Sequence, residues 1–256
     1  MFLETRTLPK AVKNLLIANV GVYIFLIISR LHGWGVAFFS LIPSEITEHA
    51  QLWRLFTYSF IHANIFWHLI LNMFALWMFG PEIERFLGTY KFLLYYFLTG
   101  AGGALCTVLF YPHSSAVTIG SSGCIFGLMV AFAVLFPNAV ISLIFPPIGI
   151  KARTFVVVFA ILQILFAFEG TRGINWLVHL GGMFVGYLYL EIFVQGKLGV
   201  IWNNWTRKVA DNKAREKRNF MTEEIDPILD KINKVGMQGL NREELKKLKK
   251  AHYKAR

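Results

Sequence analysis

Three short polar clusters interrupt the long apolar stretches of this 256-residue chain. Gly120-Ser121-Ser122-Gly123 opens one apolar run, His68-Leu69-Ile70-Leu71-Asn72 lies in an earlier one, and His179 with Gly181, Gly182 and Gly186 lies in a later one. A serine hydroxyl becomes a useful nucleophile when a neighbouring base takes its proton, and imidazole is the side chain that most often does so. Ser122 with His179 could therefore carry acyl transfer. That chemistry also needs donors for the oxyanion of a tetrahedral intermediate. The i, i+4 spacing of His68 and Asn72 puts both on one face of a helix, and with the backbone N–H of Ser122 they are candidate donors. Each cluster alone has a plainer role, as an N-cap serine or as an interhelical hydrogen bonder. Their combination points to chemistry.

Glycine spacing supplies a way to bring the groups together. Gly123 and Gly127 form a small-xxx-small face directly after Ser122, and Gly182 and Gly186 form another after His179. Such faces let helices approach closely, which would carry Ser122 and His179 to within about a turn of the contact. Phe126 would lie below Ser122, able to stack on the imidazole. No Asp precedes Asp211, and Glu4, Glu45, Glu48, Glu82, Glu84, Glu169 and Glu191 fall near the ends of apolar runs or between them. The economical reading is a Ser-His dyad whose imidazole is oriented by packing. His-Glu-x-x-His is absent, and Gly-x-Ser-x-Gly fails at Cys124. No metal or other cofactor is implied.

The elements that must position these residues are membrane spans. Hydrophobic residues make up 55% of the chain and charged residues 16%, where a soluble domain carries about a quarter charged. Runs near 11–28, 68–86, 91–111, 122–136, 154–168 and 174–193 read as six spans, the fourth and fifth short at about 15 residues. Arg6, Lys10, Lys13, Arg85, Lys91, Lys151 and Arg153 flank one set of ends, while Tyr111–Gly120 has no Lys or Arg and the connection after the fifth span only Arg172. The positive-inside rule then places both termini in the cytoplasm. The connection 31–67, with Trp34, Phe38, Phe39, Trp53, Phe56 and Phe60, suits an interfacial element. Of the 26 Lys and Arg, 16 follow Gly196. The expected organisation is a cytoplasmic N-terminus (1–10), a membrane domain (11–196), a basic linker (197–220) with Trp202 and Trp205 as interfacial anchors, and a helical hairpin (221–256). In that hairpin Asp226-Pro227 reads as a helix start, and Asn241 with Glu244 as a capping box. The tail's charge suits an anionic lipid surface; a cytoplasmic location explains it without nucleic acid. Cys106 and Cys124 read as small buried hydrophobes.

In these motifs, their order and their placement, the chain resembles the rhomboid intramembrane serine proteases. The resemblance covers most of 11–196 and rests on Trp53-Arg54, His68…Asn72, Gly120-x-Ser122-Gly123…Gly127 and His179-x-x-Gly182-x-x-x-Gly186. It implies an all-α, six-helix bundle with Ser122 as nucleophile, His179 as base, His68 and Asn72 as oxyanion donors, and Trp53-Arg54 anchoring the interfacial loop. It also implies single-span membrane proteins as substrates and a bacterial inner membrane as the setting. Val178 departs from the common Ala and Phe126 from an occasional Tyr; both bear on packing. The resemblance also admits a catalytically inactive, client-binding relative, although such proteins typically lose the Ser or His, and it says nothing of the tail. A transporter would call for intramembrane acids or inverted repeats, and neither is present.

Overall fold

The computed structural model describes residues 7–142, 149–168, 175–196, 200, 204, 207–208, 211–212, 214–216, 218–241 and 243–248. The chain divides into two compact units, Met1–Ile192 and Phe193–Arg256. Expectations attached to Glu4, Arg6, Glu169, Arg172, Trp202 and Trp205 lie outside the described residues.

In chain order the first unit contains α1 (Lys10–Ile28), α2 (His32–Phe39), α3 (Pro43–His49), α4 (Arg54–Thr57), α5 (Phe66–Leu87), α6 (Thr89–Phe110) and α7 (Ser122–Leu135). Then come α8 (Ala152–Phe168) and α9 (Asn175–Tyr189), which continues into a π-helical stretch, Leu190–Gln195. Among the described residues, three helices are long and apolar enough to cross a membrane: α1, α6 and Trp176–Gln195. The helices α7 and α8 are apolar but shorter, at 14 and 17 residues. At about 1.5 Å per residue α7 measures only about 21 Å, against a hydrocarbon layer of about 30 Å. α5 has 22 residues, with Glu82, Glu84 and Arg85 gathered near its C-terminal end.

Layering follows from which helices are apolar all round. In α7, Gly123–Ala131 and Ala133 are all buried, as expected of a helix with no polar face, and it forms the centre with α6 and α9. In α8 the buried side chains among 152–165 are Ala152, Val156 and Gln163. Glu84 ties two helices at one end. Its carboxylate accepts from the backbone N–H groups of Ala11 (2.9 Å) and Val12 (2.8 Å) at the start of α1, and from the Thr89 hydroxyl (2.7 Å). The N-cap position of α1, Pro9, makes no side-chain cap, so the carboxylate satisfies donors that the helix itself leaves open.

The connection between α1 and α5 is structured, and Arg54 organises it. Buried to 3% exposure, Arg54 donates to the carbonyls of Ser40 (2.7 Å) and Ala37 (2.8 Å) and to Gln51 Oε1 (2.7 Å). Burial lowers its pKa, a pull opposed by Glu45. Trp53 donates to the Phe38 carbonyl at 3.1 Å and stacks on the Phe38 ring.

Two local expectations change. The first unit is not wholly helical: Val140–Ser142 and Gly149–Lys151 pair antiparallel between α7 and α8, with Ile141 opposite Ile150. Short β-branched segments satisfy their backbone there as a ladder. In the second unit the α-helix α10 (Asp226–Val235) begins at Asp226 with Pro227 in its first turn, but Ile225 takes the N-cap position and makes no side-chain cap. A π-helical stretch, Phe220–Ile225, runs directly into it. Pro227 has no N–H to give and crowds the preceding turn, and the wider π-turns accommodate it. Ile225 and Ile228 are buried, whereas Leu229 is exposed. Asn241 and Glu244 bond reciprocally, Asn241 N–H to Glu244 Oε2 at 2.7 Å and Glu244 N–H to Asn241 Oδ1 at 2.9 Å. Lys231 clamps the same carboxylate at 2.9 and 3.1 Å.

Candidate active site

Helix packing decides what meets what. A Cβ on Gly182 would lie 2.3 Å from the Gly123 carbonyl oxygen, and one on Gly186 would lie 3.3 Å from the Gly127 Cα. The glycine faces of α7 and α9 are therefore in backbone contact. Gly103 of α6 joins them, since its Cβ would lie 2.3 Å from the Val178 carbonyl. Gly127 is covered by Thr99, and Tyr95 donates to the Gly127 carbonyl at 2.6 Å.

Ser122 is the first residue of α7 and His179 lies in the second turn of α9. The close approach of the two backbones puts His179 Nε2 at 2.7 Å from Ser122 Oγ. The Phe126 ring stacks on the imidazole, with centroids 4.3 Å apart and planes inclined by 13°.

The loop before Ser122 is held from two sides. Leu41 and Thr118 exchange backbone hydrogen bonds at 2.9 Å, and Gly120 N–H donates to the Tyr58 carbonyl at 3.0 Å. Tyr58 in turn donates to the Gly100 carbonyl at 2.8 Å. Gly120 has φ +108°, a conformation that side chains rarely adopt. A Cβ there would lie 2.8 Å from His68 Nε2 and 3.9 Å from Asn72 Nδ2. The missing side chain thus leaves room beside two nitrogens.

Both nitrogens are donors on their bonding patterns. Ala63 N–H donates to His68 Nδ1 at 3.1 Å, so that nitrogen is unprotonated and the ring proton of the neutral form sits on Nε2. Asn72 Oδ1 accepts from the Ser121 hydroxyl at 3.3 Å, and Asn72 Nδ2 donates to the His68 carbonyl at 2.7 Å, leaving the amide's second N–H. The Ser122 N–H, at the start of a helix, adds a third donor. His62, only 1% exposed, lies against the His68 ring with centroids 5.3 Å apart. Burial, reinforced by His68, pushes its pKa down to about 4, so it stays neutral at ordinary pH.

Of the residues singled out from sequence, Ser122, His179, His68, Asn72, Gly120, Gly123, Phe126, Gly127, Gly182 and Gly186 meet around one site. Trp53 and Arg54 sit apart from it, in the connection that holds the loop of Gly120. One residue escaped the sequence reading. Gln163 of α8 has its Oε1 2.8 Å from His179 Nδ1, so the imidazole has a polar orienting partner and does not rely on packing alone. The available signal was a lone amide among fourteen or so apolar positions of one span, a setting in which polar side chains seek partners on other helices. Among the described residues, no group of three or more His, Cys, Asp or Glu could hold a metal ion.

Comparison with known families places most of the first unit in one of them. A model of the Rhomboid domain matches residues 49–196, and a family of unknown function (DUF6576) matches residues 209–251. The chain is 34% identical over 151 residues to the putative rhomboid protease YdcA of Bacillus subtilis, covering 58% of this chain and 71% of that protein. It is 32% identical over 145 residues to the rhomboid protease GluP of the same organism, covering 56% of this chain and 26% of that one. It is also 35% identical over 132 residues to the mitochondrial rhomboid protein 1 of Saccharomyces cerevisiae, covering 48% of this chain and 37% of that one.

Proposed function

The chain belongs to the rhomboid family of integral membrane proteins, and from that premise we propose that it is an intramembrane serine endopeptidase with Ser122 as nucleophile and His179 as general base. The observation that carries the proposal is the 2.7 Å contact between Ser122 Oγ and His179 Nε2, within proton-transfer reach. In the first step Ser122 donates its proton to Nε2 as Oγ attacks a peptide carbonyl. The new oxyanion lies on the Gly120 side, facing His68 Nε2–H, the Asn72 amide and the Ser122 N–H. His179 then passes the proton to the departing amine. Water, deprotonated by the same imidazole, attacks the ester, and the imidazolium returns that proton to Ser122 Oγ as the acid product leaves.

A catalytically inactive, client-binding relative is the alternative reading. The paired Ser122 and His179 argue against it, because a binding scaffold has no need of a hydroxyl-to-imidazole hydrogen bond set beside converging donors. The proposed steps need no metal or other cofactor, since the proton passes between Ser122, His179 and water alone.

The rest of the reading follows from the family and the charge pattern. Six helices (α1, α5, α6, α7, α8 and α9) span the membrane, with both termini cytoplasmic and the start of α7 below the outer surface of a bacterial inner membrane. Residues 11–196 form the protease domain, 1–10 and 197–220 flank it, and 221–256 form a basic helical tail suited to anionic lipid. Substrates are single-span membrane proteins that enter from lipid and unwind at the site. The test is cleavage of a model transmembrane substrate in liposomes by the purified wild type and by Ser122→Ala. We expect the variant to be silent; undiminished cleavage overturns the assignment.

A further inference from the structure

The helix α8 turns an apolar surface outward. Ile161, Leu162, Ile164 and Leu165 are 38–53% exposed, and between them Gln163 is only 9% exposed. A glutamine at membrane depth is costly unless its amide is bonded. Gln163 spends its carbonyl on His179.

That bond bears on a proton. For Nε2 to accept from Ser122 it must be unprotonated, which requires the neutral ring to carry its proton on Nδ1. An amide oxygen 2.8 Å from Nδ1 selects that tautomer, because it can accept a hydrogen bond and cannot donate one. The stack on Phe126 cannot make the selection. Stacking fixes the ring plane, but a half-turn about the Cβ–Cγ bond preserves the plane while exchanging Nδ1 with a carbon. With the wrong tautomer or the flipped ring, Ser122 faces no free lone pair.

We propose that Gln163 is a positioning residue of the proteolytic site, supplied by α8, which holds His179 in the Nδ1–H tautomer and in the ring orientation that leaves Nε2 open to Ser122. Gln163 touches no substrate and changes no charge. The proposal rests on the Ser122–His179 reading and adds to it the source of the imidazole's orientation. A neutral amide supplies orientation without the charge stabilisation that a carboxylate would give to the imidazolium.

Gln163→Met keeps length and bulk while removing the acceptor. In liposomes with a transmembrane substrate, we expect kcat to fall roughly 10- to 100-fold with KM little changed. Gln163→Glu restores an acceptor and adds charge, so it should recover most of kcat and move the acidic limb of the kcat/KM profile to higher pH. The other titratable group acting on His179 among the described residues is His68 of α5, so the same shift is measured in a His68→Gln background. Nitrogen-15 spectra of histidine-labelled protein, with the His179 signals assigned by comparison with His179→Gln, read its tautomer directly: Nδ1–H alone for His179 in the wild type, a mixture in Gln163→Met. A Gln163→Met enzyme with kcat within twofold of wild type, or a wild-type His179 carrying its proton on Nε2, overturns the proposal. Cleavage that survives Ser122→Ala overturns the dyad instead, and the spectra then still decide the bond by themselves.

Discussion

Gly182→Ala tests whether the site depends on backbone contact between α7 and α9. The new Cβ would lie 2.3 Å from the Gly123 carbonyl oxygen, where ordinary contact begins near 3.4 Å. The neighbour is backbone, so no side chain can swing away. The two helices must part by about 1 Å, and the displacement falls one residue from Ser122 and three from His179. Carried to the dyad, it stretches the 2.7 Å hydrogen bond beyond the about 3.2 Å that proton transfer tolerates. A misplacement of about 1 Å costs about 100-fold in rate, or about 2.7 kcal/mol in the barrier. The assay is kcat/KM on a transmembrane substrate in liposomes, with thermal unfolding in detergent checking that the variant is folded. A folded Gly182→Ala enzyme within threefold of wild type would refute the reasoning, since it would mean the helices absorb the methyl without moving the dyad.

Other outcomes follow from the same geometry. His68→Ala and Asn72→Ala should each lower kcat roughly 10- to 1000-fold while leaving Ser122 able to react slowly with a fluorophosphonate probe; a rate equal to wild type for both would remove them from the oxyanion site. His62 has its pKa lowered from 6.5 to about 4, so the unfolded chain binds its proton first as pH falls. Stability should be whole above pH 6.5 and decline towards pH 4, by about 3 kcal/mol from this group. Thermal unfolding against pH checks this, and an unchanged acid slope in His62→Gln would count against it. Removing 197–256 should leave most cleavage intact, as measured in the same liposomes.

Apolar run length was enough to read the longer helices of the first unit, though not the short α2, α3 and α4, because a chain in lipid must satisfy its backbone within each segment. The expected runs at 68–86 and 122–136 differ from α5 and α7 by no more than two residues at either end. The Phe126 stack was legible because residues four apart share a helix face. Gln163 was not legible as a partner of His179: its distance along the chain says nothing about which way α8 is turned. Nor did sequence show that Ala63 N–H fixes the His68 tautomer, since that bond depends on how the chain folds back before α5. The hairpin between α7 and α8 and the π-turns before Pro227 were likewise local solutions to backbone bonding with weak side-chain signatures.

Glu84 has a bearing on how the molecule is put together. Its carboxylate closes over the first amides of α1 across 73 and 72 positions of chain. Synthesis runs from the N-terminus, so α1 exists as a complete segment well before the group that finishes it. Until α5 arrives, the N–H groups of Ala11 and Val12 must be met by water or lipid headgroups. The first helix therefore gains this cap only once α5 has been made and packed against it.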